Sequence, residues 1–211
     1  VRYYLAKELP LGNDGLFSYE RFIERYNNEL ANDLGNLVSR TVSMVEKYFD
    51  GNVPHMLTSK TLFDDDLKNV ATNAIAKTKE NFEKFELQDA INETWSLVRR
   101  VNKYIDETAP WVLAKNENKK SELEATMANL IESLRVIAHL VSPYLVETAP
   151  KILEAIGLAN DGFNLSNLNY NVGTVTGKVS KIPALFQRLD VEKELEYFKN
   201  KAEQTKKESV K

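Results

Sequence analysis

Asn36 and Arg40 stand four residues apart in LANDLGNLVSR. On a helix they lie one above the other. An amide that both donates and accepts, beside a guanidinium that donates in a fork, can meet polar edges such as those of a nucleic-acid base. The same pair on a solvated helix face needs no function. Trp111 directly follows Pro110 in YIDETAPWVLAK. The proline stiffens the backbone at a helix end and could hold an indole outward, where a ring can stack on an unpaired base. A half-buried staple closing the helix end is the structural alternative. Lys115, Lys119 and Lys120 follow closely and could face phosphates.

Catalytic chemistry has no visible apparatus. No Gly-rich phosphate loop precedes a helix, no nucleophile accompanies a base, and no metal-ligand cluster stands out. Asp64-Asp65-Asp66 suits the positive end of a helix better than it suits a cation. His139 lies within an apolar helical stretch and reads as a hydrogen-bonded core residue. With no cysteine in the chain, disulfides and thiolate metal sites are excluded. The net charge is only −3, so no whole-chain basic field exists and any nucleic-acid contact must use a local patch. No apolar run approaches the roughly 20 residues a membrane span requires. Cytoplasm is the default compartment. The chain begins in mid-pattern without Met and reads as a piece of a longer protein.

The elements that must position these residues follow from apolar spacing. Leu30, Leu34, Leu37, Thr41, Val45 and Tyr48 recur at three and four residues, which is one face of a helix. Asn36 and Arg40 fall off that face. Gly35 inside the helix costs about 1 kcal/mol relative to Ala, and close approach of a neighbouring helix is the expected compensation. Upstream, Ser18 is placed to cap a helix bearing Phe22, Ile23 and Tyr26. Helices are predicted over 61–85, 86–108, 123–140 and 144–156. Trp95 lies within an apolar stripe and is expected in the core. Arg99, Arg100 and Lys103 lie outside it, as a basic flank or a solvated face. Four of the eight glycines fall between Gly157 and Gly177, so an irregular connection is predicted there, with room for a short hairpin. A charged helix closes the chain from Val191. The class is all-α: an antiparallel helical bundle of about five main helices, with an irregular C-terminal segment and a final helix. The fragment is expected to be a monomer.

The stretch around Asn36 and Arg40 resembles the anticodon-reading helix of methionyl-tRNA synthetases, and YIDETAPWVLAK resembles the segment carrying that family's stacking tryptophan. The opening RYYLAKELPLGNDGLFSYERFIERYN resembles the passage from catalytic to helical half, and IPALFQRLD resembles the run after the bundle. The resemblance implies that Asn36, Arg40, Trp111 and Pro110 bind the CAU anticodon of methionine tRNAs. It also implies three parts: a connection from a missing catalytic domain over 1–17, an anticodon-binding bundle over 18–157, and a terminal part over 158–211. The parent would be a methionine–tRNA ligase using ATP and Mg, with its own catalytic domain and the tRNA as partners. The fragment itself would need no cofactor and be inactive alone. The family's two ATP-binding motifs are not found: one is missing, and Lys178-Val179-Ser180-Lys181-Ile182 has a passing likeness to the other, in the wrong place. A helical protein-interaction module without an RNA role is the alternative reading.

Overall fold

The computed structural model describes residues 1–9, 15–159 and 162–209, with side chains as far as residue 201. Pro10 and most of the LGNDG turn lie outside the described residues. Among the described residues there are helices and connections, and the one strand-like feature is an isolated bridge between Asn52 and Lys178.

Helix α1 (Arg2–Glu8) precedes α2 (Tyr19–Arg25). The Ser18 hydroxyl caps α2 by accepting from the backbone N–H of Arg21, as the Ser-x-x pattern requires. The chain does not break at Asn27-Asn28. It runs on through a π-helical segment, Tyr26–Gly35, directly into α3 (Asn36–Phe49). The predicted stripe is inward: Leu30, Leu34, Leu37, Val38, Thr41, Val42 and Val45 are buried. Asp50, in the left-handed region at φ 50°, ends α3, and Gly51 continues the turn at φ 80°.

Helix α4 (Asp64–Glu83) begins three residues later than its apolar spacing suggests, and Leu62 is exposed. The reason lies in Asp64. Its carboxylate accepts from the backbone N–H of Thr61, from the Thr61 hydroxyl and from the Tyr104 hydroxyl, and it is buried. Asp64 is thus a fixed acceptor joining two helices, more than a favourable charge at a helix end. Helix α5 (Leu87–Thr108) packs along α4 and buries Ile91, Trp95, Val98, Val101 and Ile105. Helix α7 (Lys120–Val141) fills the centre, with residues on every side buried, so it has no outward polar face of the kind a surface helix keeps. His139 is buried there, its ring nitrogen 2.9 Å from the Arg135 carbonyl. Pro143 follows the end of α7, and α8 (Thr148–Ala155) starts later than predicted, after a turn through Tyr144 and Leu145.

Among the described residues the segment after Gly157 shows no hairpin. It returns across the bundle and buries Leu168, Tyr170, Val175 and Val179. Backbone bonds tie it down: Val53 N–H to Gly177, Val179 N–H to Gly51 and Ser180 N–H to Ala155. The closing helix α9 (Val191–Ser209) packs on α2, where Tyr19 and Phe198 stack at 4.4 Å between ring centroids.

Candidate nucleic-acid interface

Three structural units frame the residues singled out by the sequence, with α3 touching each of the other two. They are the outer face of α3, the corner between α5 and α6 (Pro110–Leu113), and the returning strap from Lys181 to Asp190.

The corner arises from local chemistry. Helix α5 stops because Ala109 takes the left-handed conformation at φ 42°. Pro110 then opens α6 at its first position, where a missing N–H costs nothing. Pro110 is buried and Trp111 is 43% exposed. So the proline anchors the corner while the indole faces outward, and the tightly closed staple is not what forms. Trp95, by contrast, is fully buried.

Arg40 reaches this corner. Its guanidinium donates to Asp106 in the last turn of α5, at 3.1 Å. Both side chains are partly in solvent, and pairs of this kind contribute about 0–1 kcal/mol. Asp106 therefore aims Arg40 towards the Trp111 end of α5 without holding it fast. Sequence spacing pointed from Arg40 to Asn36 and missed Asp106, because the pair bridges two helices.

Asn36 is exposed one turn earlier on α3. It lines a groove of about 380 Å³ with Asn32 and Ser39 on one side and Ala184, Leu185 and Arg188 of the strap on the other. Gly35 permits this approach. A Cβ there would lie 3.1 Å from the Leu30 carbonyl oxygen and 3.4 Å from the Phe186 ring. The close neighbour expected at Gly35 is thus a side chain of the strap, not another helix. Arg188 is exposed and has no ion pair among the described residues; its place in the groove could not be read from spacing, since more than 150 residues of chain separate it from Asn36.

Three of the other cations near the corner are paired. Arg100 pairs with Asp66 at 2.6 Å and Glu107 at 3.0 Å, and Lys103 pairs with Glu107. Of Arg99, Arg100 and Lys103, read from the sequence as a basic flank or a solvated face, Arg100 and Lys103 are therefore paired and Arg99 is left exposed. Lys119 pairs with Glu122, whereas Lys115 and Lys120 are exposed without an ion pair among the described residues. On the inner side of the π-helical segment, burial pushes the Asp33 carboxyl above the ordinary carboxylate range, opposed by the Arg99 charge. No cluster of potential metal ligands occurs among the described residues, and no helix there is long and apolar enough to cross a membrane.

Comparison with known proteins gives this geometry a context. A family model described as the anticodon binding domain of methionyl tRNA ligase matches residues 55–206. A second, for class I tRNA synthetases (M), matches residues 1–42. The methionine–tRNA ligase of Enterococcus faecalis is 47% identical over 206 residues, covering 97% of this chain and 31% of that protein. That of Caldanaerobacter subterraneus subsp. tengcongensis is 46% identical over 209 residues, covering 99% and 33%. The apo form of Mycobacterium tuberculosis methionyl-tRNA synthetase superimposes with a TM-score of 0.80 at 31% identity, over 90% of this chain and 38% of that one. A structure of the same enzyme bound by methionyl-adenylate gives 0.79 at 30% identity, over 88% and 37%. The chain spans about a third of the length of the curated relatives it matches.

Proposed function

Because the chain belongs to the family of methionyl-tRNA ligase anticodon-binding domains, we propose that its surface of Trp111, Arg40 and Asn36 binds the CAU anticodon of methionine tRNAs. The observation that carries this reading is the exposed indole on a buried proline, with Arg40 aimed at the same corner by Asp106. An exposed ring beside polar side chains is what an unpaired RNA loop needs: one base stacks while others present their edges. Trp111 serves as the stacking platform. Arg40 exchanges Asp106 for a base edge or a phosphate, which its weak pairing permits. Asn36 reads a base edge with its amide. Pro110 sets the direction of the indole. Arg188, across the groove from Asn36, supplies positive charge to the same surface, and Lys115 and Lys120 flank it.

In this reading the parent protein attaches methionine to tRNA with cleavage of ATP, Mg serving as its cofactor, and this chain contributes anticodon binding. This chain is proposed to need no cofactor of its own, and Lys178 to Ile182 lie in the segment that returns across the bundle. The chain alone is expected to be an inactive monomer. Its partners are the tRNA anticodon loop and the catalytic part of the same protein, in the cytoplasm. The division into a connection over 1–17, a bundle over 18–157 and a terminal part over 158–211 belongs to the same proposal.

The test is binding of a CAU anticodon stem-loop at two salt concentrations, alongside a stem-loop with a changed first anticodon base. The proposal expects tighter binding of CAU and a steep fall of affinity with salt, as phosphate contacts dictate. Equal binding of both stem-loops would refute it.

A further inference from the structure

Asn27 is buried in the first turn of the π-helical segment, and among the described residues its amide has no hydrogen-bond partner within its own helix. Both ends of that amide are used on one distant residue. Its Nδ2 donates to the Leu189 carbonyl at 2.9 Å, and its Oδ1 accepts from the Leu189 N–H at 2.8 Å. A side chain that closes both backbone groups of one residue fixes that residue in position and in orientation.

The residue it fixes ends an otherwise loosely held arc. Upstream, the returning strap is tied by backbone bonds as far as Ser180. From residue 181 to residue 188 no backbone bond to the bundle occurs among the described residues. Only side chains hold the arc, with Ile182, Leu185 and Phe186 packed against the core. Phe186 lies over Gly35 and meets the Tyr26 ring edge-on at 5.8 Å. This arc is the second wall of the groove that Asn36 lines. Beyond Leu189 the Asp190 carboxylate accepts from the Lys193 N–H and starts α9, so the clamp stands at the point where the arc is handed on to a helix.

We infer that Asn27 is a positioning residue for anticodon reading: by clamping Leu189, and with Phe186 seated over Gly35, it holds the 181–188 arc as a preformed wall beside Asn36. This rests on the anticodon-binding reading above. A preformed wall spares an ordering cost only for a base that seats against it. It also confines a base so that only the right edge meets the Asn36 amide. A wall that drifts would admit other bases about as well.

The experiment compares the full 211-residue chain with its Asn27→Ala and Phe186→Ala variants, each measured for binding to the CAU stem-loop and to the changed-first-base stem-loop, with a thermal melt of each. Both variants should lose about fivefold or more of the preference for CAU, the scale of one hydrogen bond misplaced. Binding of the changed triplet should be nearly unaltered. Folded variants that keep the wild-type preference, or that lose affinity for both stem-loops equally, overturn the inference, since a purely structural role produces those patterns. If Asn27→Ala fails to fold, Phe186→Ala decides by the same ratio. Wild-type protein that shows no CAU preference overturns the anticodon reading itself, and this inference with it.

Discussion

Trp111 and Trp95 separate two uses of the same side chain. Trp95 is sealed beside Tyr3, with ring centroids 4.7 Å apart, while Trp111 stands on Pro110 at the surface. Iodide should therefore quench Trp111 and leave Trp95 bright; a Trp95→Phe variant that keeps all of the quenchable signal would confirm the assignment, and one that loses it would contradict it. Asn36→Ala should lower the preference for CAU over a changed first base while leaving the melt almost unchanged, because an exposed side chain has no core contacts to lose. The residue types were legible in the sequence: an amide and a guanidinium off the apolar stripe, and an indole after a proline. Their partners were not. Asp106 and Arg188 come from other elements, and no helical spacing relates them to Arg40 or Asn36. Burial of Trp95 followed from its place in the stripe, but exposure of Trp111 depended on the left-handed Ala109, which nothing about alanine announces.

At the scale of elements, the π-helical segment is the feature that local pattern could not supply. Its residues recur at intervals that an α-helix also satisfies, and the longer period shows only in three dimensions. Such segments are rare and gather at functional sites; here it ends at Gly35, immediately before Asn36. Helix propensity alone says that Gly35→Ala should stabilise by about 1 kcal/mol. The Leu30 carbonyl oxygen would stand 3.1 Å from the added Cβ, tight enough to offset that gain, with the Phe186 ring in contact at 3.4 Å, so the variant is expected to melt no higher than the parent, and a clear rise in Tm would count against this packing around Gly35. The Asp33 carboxyl gives a second check on the same segment. Because burial raises its pKa in the fold, its ionised form carries a cost above that raised pKa, which disappears below the ordinary value near 3.8. Asp33→Asn should thus melt higher than the parent at pH 7, with the difference shrinking as pH falls through the carboxylate range. A difference independent of pH would contradict this. The irregular connection expected after Gly157 is what the described residues show, and its apolar residues, Leu168, Tyr170, Val175 and Val179, each insert into the bundle where a short hairpin had room to form. Turn-forming composition identifies an irregular segment but not the surface it covers.

For the whole molecule, sequence patterning was enough for an all-α bundle, since its apolar stripes are long and each needs a partner. What it could not convey is that the strap from the far end of the chain completes the groove beside α3. The proposed binding surface is consequently assembled from three separate stretches, near residues 36–40, 106–111 and 184–188. On the proposed reading, a chain with net charge −3 engages RNA through a local patch: several neighbouring cations are paired with carboxylates, and the positive charge that remains is local. The central claim is that an exposed indole on this bundle stacks on an anticodon base. The most direct test is the affinity of the wild-type chain and of Trp111→Ala for the CAU stem-loop, with a melt of each. Loss of one stacking contact, about 1–3 kcal/mol, predicts binding weaker by about one to two powers of ten and an almost unchanged Tm. If instead Trp111→Ala lowers Tm sharply while its folded fraction binds CAU as tightly as the wild type, the indole is part of the scaffold and the site lies elsewhere.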